Sequence, residues 1–371
     1  MGGFVREDLK TRAVVFILIG LVCVGFAQDR TAEDYIRGGN SFIAQGDCAF
    51  AQYQFQEALK LDATNVEAML GKGRSLVCQG AVALGIEEYQ KVLSAAPDNV
   101  VAHVRLAEAY QRQFQSDKDR YTNELSESLT LLGRAEGLEP NNPEVLNAKG
   151  VSLYLNNDLA GSRAALERAV SLAASSETLS GRDVAQMHIN LGSVYRDLDE
   201  LELALASYRR AVTLNPLSAI AHMNVGVIHK RLDNCEEAVY ELTQAVNLNP
   251  QLLDALSNLA ITEFDCGQVE ASVPRLEKAL EMPGALNFPP LYTYLSRAYV
   301  QQGNYDEAVK RAQQGALLPP VTADSLFYLG EAYERRNGTG DIQRAREAYQ
   351  SALELDPEFP GAQEALSRLP Q

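Results

Sequence analysis

The chain has 371 residues, with 33 Lys+Arg against 49 Asp+Glu, a formal charge of −16, 46% hydrophobic residues and no tryptophan. That hydrophobic share excludes wholesale disorder, and the length exceeds what one compact core usually holds, so several domains or a repeat array are expected. The acid excess excludes a broad nucleic-acid footprint, which needs a basic face to displace counterions, and it disfavours docking on anionic lipid.

The first expected element is a targeting segment. Arg6, Lys10 and Arg12 form a positive flank, residues 13–27 form an apolar run of 15, and Gly25-Phe26-Ala27 places small residues at both specificity positions of a secretory cleavage site. A bilayer span needs about 20 apolar residues, so residues 1–27 read as a signal peptide cleaved after Ala27. An uncleaved N-terminal anchor is the alternative. Cys23 does not make this a lipoprotein signal, because Leu21-Val22 lacks the small residues such a site needs. Removal of residues 1–27 leaves a charge near −17 and no stretch long and apolar enough to span a membrane. An exported protein, periplasmic or secreted, is expected.

The rest of the chain repeats one motif. Gly192-x11-Ala204-x6-Ala211-x4-Pro216 recurs as Gly226-x11-Ala238-x6-Ala245-x4-Pro250, an offset of 34 residues. In period and in small-residue pattern the chain resembles the tetratricopeptide repeat family over residues 32–359. The resemblance implies an all-α fold. It would be a right-handed α-solenoid of about nine helix pairs, a single array over 28–371. The repeats are 32–65, 66–99, 100–142, 143–176, 185–218, 219–252, 253–286, 289–322 and 323–359, and 361–369 is a solubilising cap.

The third repeat carries about nine extra residues near 115–123, the ninth about three at 337–340, and a spacer of eight, 177–184, precedes the fifth. In the eighth, helix A is expected over 291–302 and helix B over 306–317. Small residues such as Gly73, Gly192, Gly226 and Gly330 sit where helix A must approach its partner, and Pro97, Pro140, Pro216, Pro250, Pro320 and Pro357 close most repeats. Pro274 falls inside helix B of the seventh repeat. With Pro283-Gly284 and Pro289-Pro290 it marks an irregular junction, either a hinge or a degenerate repeat.

Catalytic chemistry finds no footing. His103, His188 and His222 occupy the aromatic slot of helix A and His229 the tyrosine slot, so all four stand in for packing aromatics rather than metal ligands. Nucleophile-elbow, phosphate-loop and zinc-protease motifs are absent from the sequence. Neither catalytic nor metal residues are assigned, and no cofactor is implied. Asn337-Gly338-Thr339 fits a glycosylation acceptor in a eukaryotic host only.

Binding residues are expected on the face lined by the A helices. Asn190, Asn224 and Asn258 hold the sixth position of three consecutive repeats. This series resembles the asparagine ladder of the O-linked N-acetylglucosamine transferase superhelix, whose amides hold the backbone of an extended peptide. An amide donates and accepts at once, which suits a main chain of any sequence. The glycosyltransferase domain is missing, so that activity is not implied. Arg37, Arg74 and Arg105, with Asn40, form a basic cluster in repeats one to three that loosely resembles the carboxylate clamp of cochaperone repeats. Ile36 and Gly71 stand where the clamp has lysine and asparagine. Phe264, Tyr294, Phe327 and Tyr328 give an aromatic wall of exposed anchor points.

Four cysteines follow the signal peptide. Cys48 and Cys235 start helix B of their repeats, and Cys78 and Cys266 end helix A of the next, so both pairs meet at equivalent seams, 30 and 31 residues apart. An even count in an exported chain favours disulfides, giving Cys48–Cys78 and Cys235–Cys266; four buried free thiols are the alternative. The expected function is a non-enzymatic scaffold that binds a protein or peptide partner and no nucleic acid. The family setting is cell-envelope assembly or export, and the alternative is a ligand-sensing or substrate-presenting subunit of an envelope enzyme complex.

Overall fold

The computed structural model describes residues 30–370, so the expected signal peptide lies outside the described residues. The chain divides between Asp158 and Leu159 into two compact units. Every regular element among the described residues is helical. The first unit holds α1 (Ala32–Gln45), α2 (Cys48–Leu61), α3 (Val66–Cys78), α4 (Val82–Ala95), α5 (Val100–Ser116), α6 (Thr122–Leu138) and α7 (Pro143–Leu155). The second opens with α8 (Leu159–Ala173) and continues through α9 (Gly181–Asp197), α10 (Leu201–Leu214), α11 (Ala219–Arg231), α12 (Cys235–Leu248), α13 (Leu253–Asp265) and α14 (Val269–Leu280). After a 3-10 turn at Ala285–Asn287 come α15 (Pro290–Gln301), α16 (Tyr305–Ala316), α17 (Ala323–Arg336), α18 (Asp341–Leu355) and the short α19 (Ala362–Arg368). Within each unit successive helices pack as A/B pairs, and most A helices also touch the next A helix of the same unit. The division of the expected single array falls between helices A and B of the fourth repeat.

Local chemistry sets the helix boundaries. Asn65, Asn99 and Ser218 accept from the backbone N–H three residues on and so cap α3, α5 and α11. Thr31, Ser180 and Thr322 form capping boxes at α1, α9 and α17. The turn from helix A to helix B needs one residue in the left-handed region, and the sequence supplies Gly46, Gly80, Asn157, Asp199, Asp233, Gly267, Gly303 and Asn337. Glycine, Asn and Asp are the residues that tolerate that backbone.

Two insertions are absorbed as helix rather than as loop. The third repeat's extra residues lengthen α5 and α6 to 17 residues each. The spacer expected over 177–184 ends early, because the Ser180/Asp183 capping box starts α9 at Gly181. Pro274 does not break its helix either: α14 runs through it. Behind it, Ala285 is buried in the hydrophobic core of the second unit, and Leu253, Met282 and Phe288 pack against that core. That packing is what a degenerate, filled repeat looks like.

The interior of each pair is built by apposing a small residue with a large one. A Cβ on Gly192 would lie 2.6 Å from Tyr208, one on Gly226 2.6 Å from Leu242, and one on Gly330 2.6 Å from Tyr349. Tyr208, Leu242 and Tyr349 are completely buried. The missing side chain on helix A is the space into which the ring or branched chain of helix B fits.

Candidate functional site

In the first unit Arg74 projects from α3 and Arg105 from α5. Asn40 of α1 accepts from the Arg74 guanidinium at 2.7 Å and donates to Glu67 at 3.2 Å. These four side chains, with Leu70 and Val101, line a cleft of about 440 Å³. Arg105 is neutralised by Glu108 at 2.8 Å and Glu144 at 3.5 Å. Arg74 has no carboxylate partner among the described residues, and its Nε is buried without a hydrogen bond. Burial, and then the neighbouring Arg105 charge, weaken its hold on its proton. Arg37 stands apart: its side chain is 80% exposed and pairs with Asp34 on its own helix, at 3.7 Å. The cluster expected from sequence is therefore Arg74, Arg105 and Asn40, with Glu67 as a fourth member that charge counting did not single out.

In the second unit Asn190, Asn224 and Asn258 sit at equivalent positions of α9, α11 and α13. Asn190 accepts from Gln186 at 3.0 Å. Asn224 is only 8% exposed. Neither its amide nor that of half-buried Asn258 has a hydrogen bond among the described residues. The same register continues as Tyr294 on α15 and Tyr328 on α17, so the amide series gives way to phenols.

The aromatic residues are less open than expected. Phe264 is 5% exposed, and Tyr294 packs edge-on against it with centroids 5.4 Å apart. Phe327 is enclosed by Tyr328, Tyr349 and Phe359, at 5.2, 5.4 and 5.2 Å. The wall of exposed anchors becomes a packed aromatic surface. Three of these rings are also covered by Arg297, which sequence reasoning missed. Its guanidinium lies 4.8 Å from the Phe264 ring, 4.9 Å from Tyr294 and 4.4 Å from Tyr328. It holds the ninth position of its repeat, as Asn40 and Arg74 do of theirs, and that shared register is the signal that would have found it.

The histidines go to packing partners. His103 bonds the Asn99 carbonyl at 2.9 Å, and His222 lies between Glu241 (2.6 Å) and the Pro216 carbonyl (3.1 Å). His229 faces Arg209 at 3.1 Å, and burial, then that charge, lowers its pKa. Burial, then Arg210, does the same to His188. Among the described residues no group of three or more His, Cys, Asp or Glu is placed to hold a metal. No helix there is long and apolar enough to cross a membrane. The cysteines lie in two pairs at disulfide distance, with Cα atoms 6.0 Å apart for Cys48 and Cys78 and 5.9 Å for Cys235 and Cys266.

A tetratricopeptide-repeat profile matches residues 36–100, 117–177 and 295–360, more than half of the chain, and related profiles match 192–233 and 252–282. The chain belongs to the tetratricopeptide repeat family. Solved structures share the fold. The anaphase-promoting complex hetero-tetramer Cut9–Hcn1 is 14% identical over 92% of this chain and 76% of that one, with a TM-score of 0.60. PilF of Pseudomonas aeruginosa is 19% identical over 61% of this chain and 96% of that one, with a TM-score of 0.52. The human IFIT1 dimer with PPP-AAAA is 18% identical over 87% and 84%, with a TM-score of 0.52. No curated protein matches the chain. Tetratricopeptide arrays are protein-interaction scaffolds and in general not enzymes.

Proposed function

We propose that this chain is an exported scaffold that grips an extended peptide, or an extended segment of a partner protein, along the A-helix face of its second unit. The observation that carries the reading is Asn224. It is a nearly buried amide with no hydrogen bond among the described residues, and its register is repeated by Asn258. A peptide main chain offers such an amide both a donor and an acceptor. The two cysteine pairs at disulfide distance support an oxidising compartment. We read that compartment as the cell envelope, where such a scaffold would serve assembly or export. The Arg74 cleft of the first unit, whose guanidinium has no carboxylate partner among the described residues, suits an acidic side chain of the same or another partner.

The test replaces Asn190, Asn224 and Asn258 by Ala together. Partner proteins recovered from the native envelope fraction are expected to bind the triple variant more weakly by about 0.5–1.5 kcal/mol per amide, with the far-ultraviolet circular dichroism unchanged. Wild-type affinity in the triple variant would remove the ladder from the binding path.

A further inference from the structure

We propose that Asn337 is a latent site of covalent self-modification, at which Gly338 closes a succinimide ring on the asparagine side chain once the turn between α17 and α18 opens, and that Asp341 keeps that site shut. Asn337-Gly338 is the one Asn-Gly pair in the sequence. In the reaction the Gly338 nitrogen attacks Cγ of the Asn337 amide, its proton passes to the departing nitrogen, and ammonia leaves. Water then opens the imide to aspartate or to β-linked isoaspartate. Glycine in the following position obstructs the attack least, because it carries no side chain. Residues 337–340 are all exposed, so water reaches the turn.

The folded backbone opposes the first step. Ring closure needs Cβ and the Gly338 nitrogen nearly eclipsed about the Cα–C bond of Asn337. Asn337 is left-handed, with φ 52° and ψ 36°, and that ψ puts the nitrogen almost opposite Cβ. The Gly338 peptide group must therefore turn over before it can react, and three hydrogen bonds hold it. The Asn337 N–H donates to the Tyr333 carbonyl at 3.0 Å, the Gly338 N–H to the Asp341 carboxylate at 2.9 Å, and the Asp341 N–H to the Gly338 carbonyl at 3.0 Å. Donation to an anion also makes the Gly338 proton harder to remove. Asp341 cannot drift away, because it has no exposure and accepts from Arg336 at 2.7 and 2.8 Å and from Arg344 at 3.0 Å. Modification would add a negative charge beside Asp341. In the isoaspartyl product it also adds a main-chain carbon that a one-residue left-handed turn does not accommodate. An opening of this last helix pair would thus leave a permanent chemical mark.

The test incubates the folded full chain in mildly alkaline buffer beside a synthetic peptide of residues 330–345, which has the same Asn-Gly pair without the fold. Conversion is read by mass spectrometry of the fragment holding Asn337, with isoaspartate separated from aspartate. The folded chain is expected to convert at least about tenfold more slowly than the peptide. Asp341→Ala, with unchanged far-ultraviolet circular dichroism at the assay temperature, is expected to recover most of the peptide's rate. Equal rates in folded chain and peptide would overturn the latency of the site, and that comparison needs no variant. A folded Asp341→Ala chain as slow as wild type would overturn the role of Asp341. No conversion in the peptide would overturn the chemistry itself.

Discussion

At the scale of single residues, the fold depends on where a side chain is missing and where a charge is enclosed. Gly192 faces the Tyr208 ring, which is fully buried and whose hydroxyl is 3.1 Å from Ser193. A methyl group there has no room, and the ring cannot swing away. Gly192→Ala is expected to cost about 1–3 kcal/mol, as overpacking does, measured as a lower urea midpoint with an unchanged slope. Asp341 is the enclosed charge. Its carboxylate has no exposure, and it accepts from Arg336 at 2.7 and 2.8 Å, from Arg344 at 3.0 Å and from the Gly338 N–H at 2.9 Å. Hydrogen bonding to Arg336 leads the causes that draw its pKa down from 3.8 to about 2. Because the folded value is the lower one, its stabilisation is fully present above about pH 5 and disappears as pH falls from there toward 2. Asp341→Ala leaves Arg336 only the more distant Asp306, at 3.4 Å, and should cost about 3 kcal/mol at pH 7. Near pH 2 wild type and variant should differ much less. An equal difference at both pH values would show that the carboxylate's charge is not what stabilises the turn.

At the scale of elements, the seam between one repeat and the next is where covalent bracing is available. Cys48 is the first residue of α2 and Cys78 the last of α3; Cys235 opens α12 and Cys266 follows α13. Each bridge would close a loop of 30 or 31 residues, worth about 3–4 kcal/mol in the chain-entropy account. Non-reducing peptide mapping of the native protein is expected to return Cys48–Cys78 and Cys235–Cys266. Replacing both cysteines of either pair by Ser should lower stability by about that amount. Free thiols, or a Cys78–Cys235 linkage, would exclude the pairing. The first bridge braces the opening pair of helices, which has no preceding repeat among the described residues to cover it. The second braces α13 ahead of α14, where Pro274 has removed one backbone donor from the ladder.

At the scale of the whole molecule, the sequence alone determined the all-helical repeat fold, and the structure and family profiles bear that out. It could do so because one spacing rule recurs many times: a small residue on helix A, another on helix B and a closing proline. Any single slot may be degenerate, as at Pro274, without hiding the period. It also determined which cysteines share a seam, since stacking turns register in sequence into proximity in space. What it could not determine is which polar side chains are already spent. Arg37 and Arg74 look alike in the sequence, but Arg37 is taken up by Asp34 in solvent while Arg74 keeps a buried nitrogen without a partner. Phe264 and Phe327 look like open anchors, yet they are covered by neighbours more than 30 residues further along the chain, Arg297 and Phe359. Arg297 has no distinguishing neighbour in the chain; its three rings come from residues 33 positions before it, three before it and 31 after it. Hydrogen-bond satisfaction and ring enclosure are sums over everything that packs around an atom. Those sums exist only once the helices are stacked, so tertiary structure alone decided where a buried guanidinium nitrogen was left without a partner and which rings were covered.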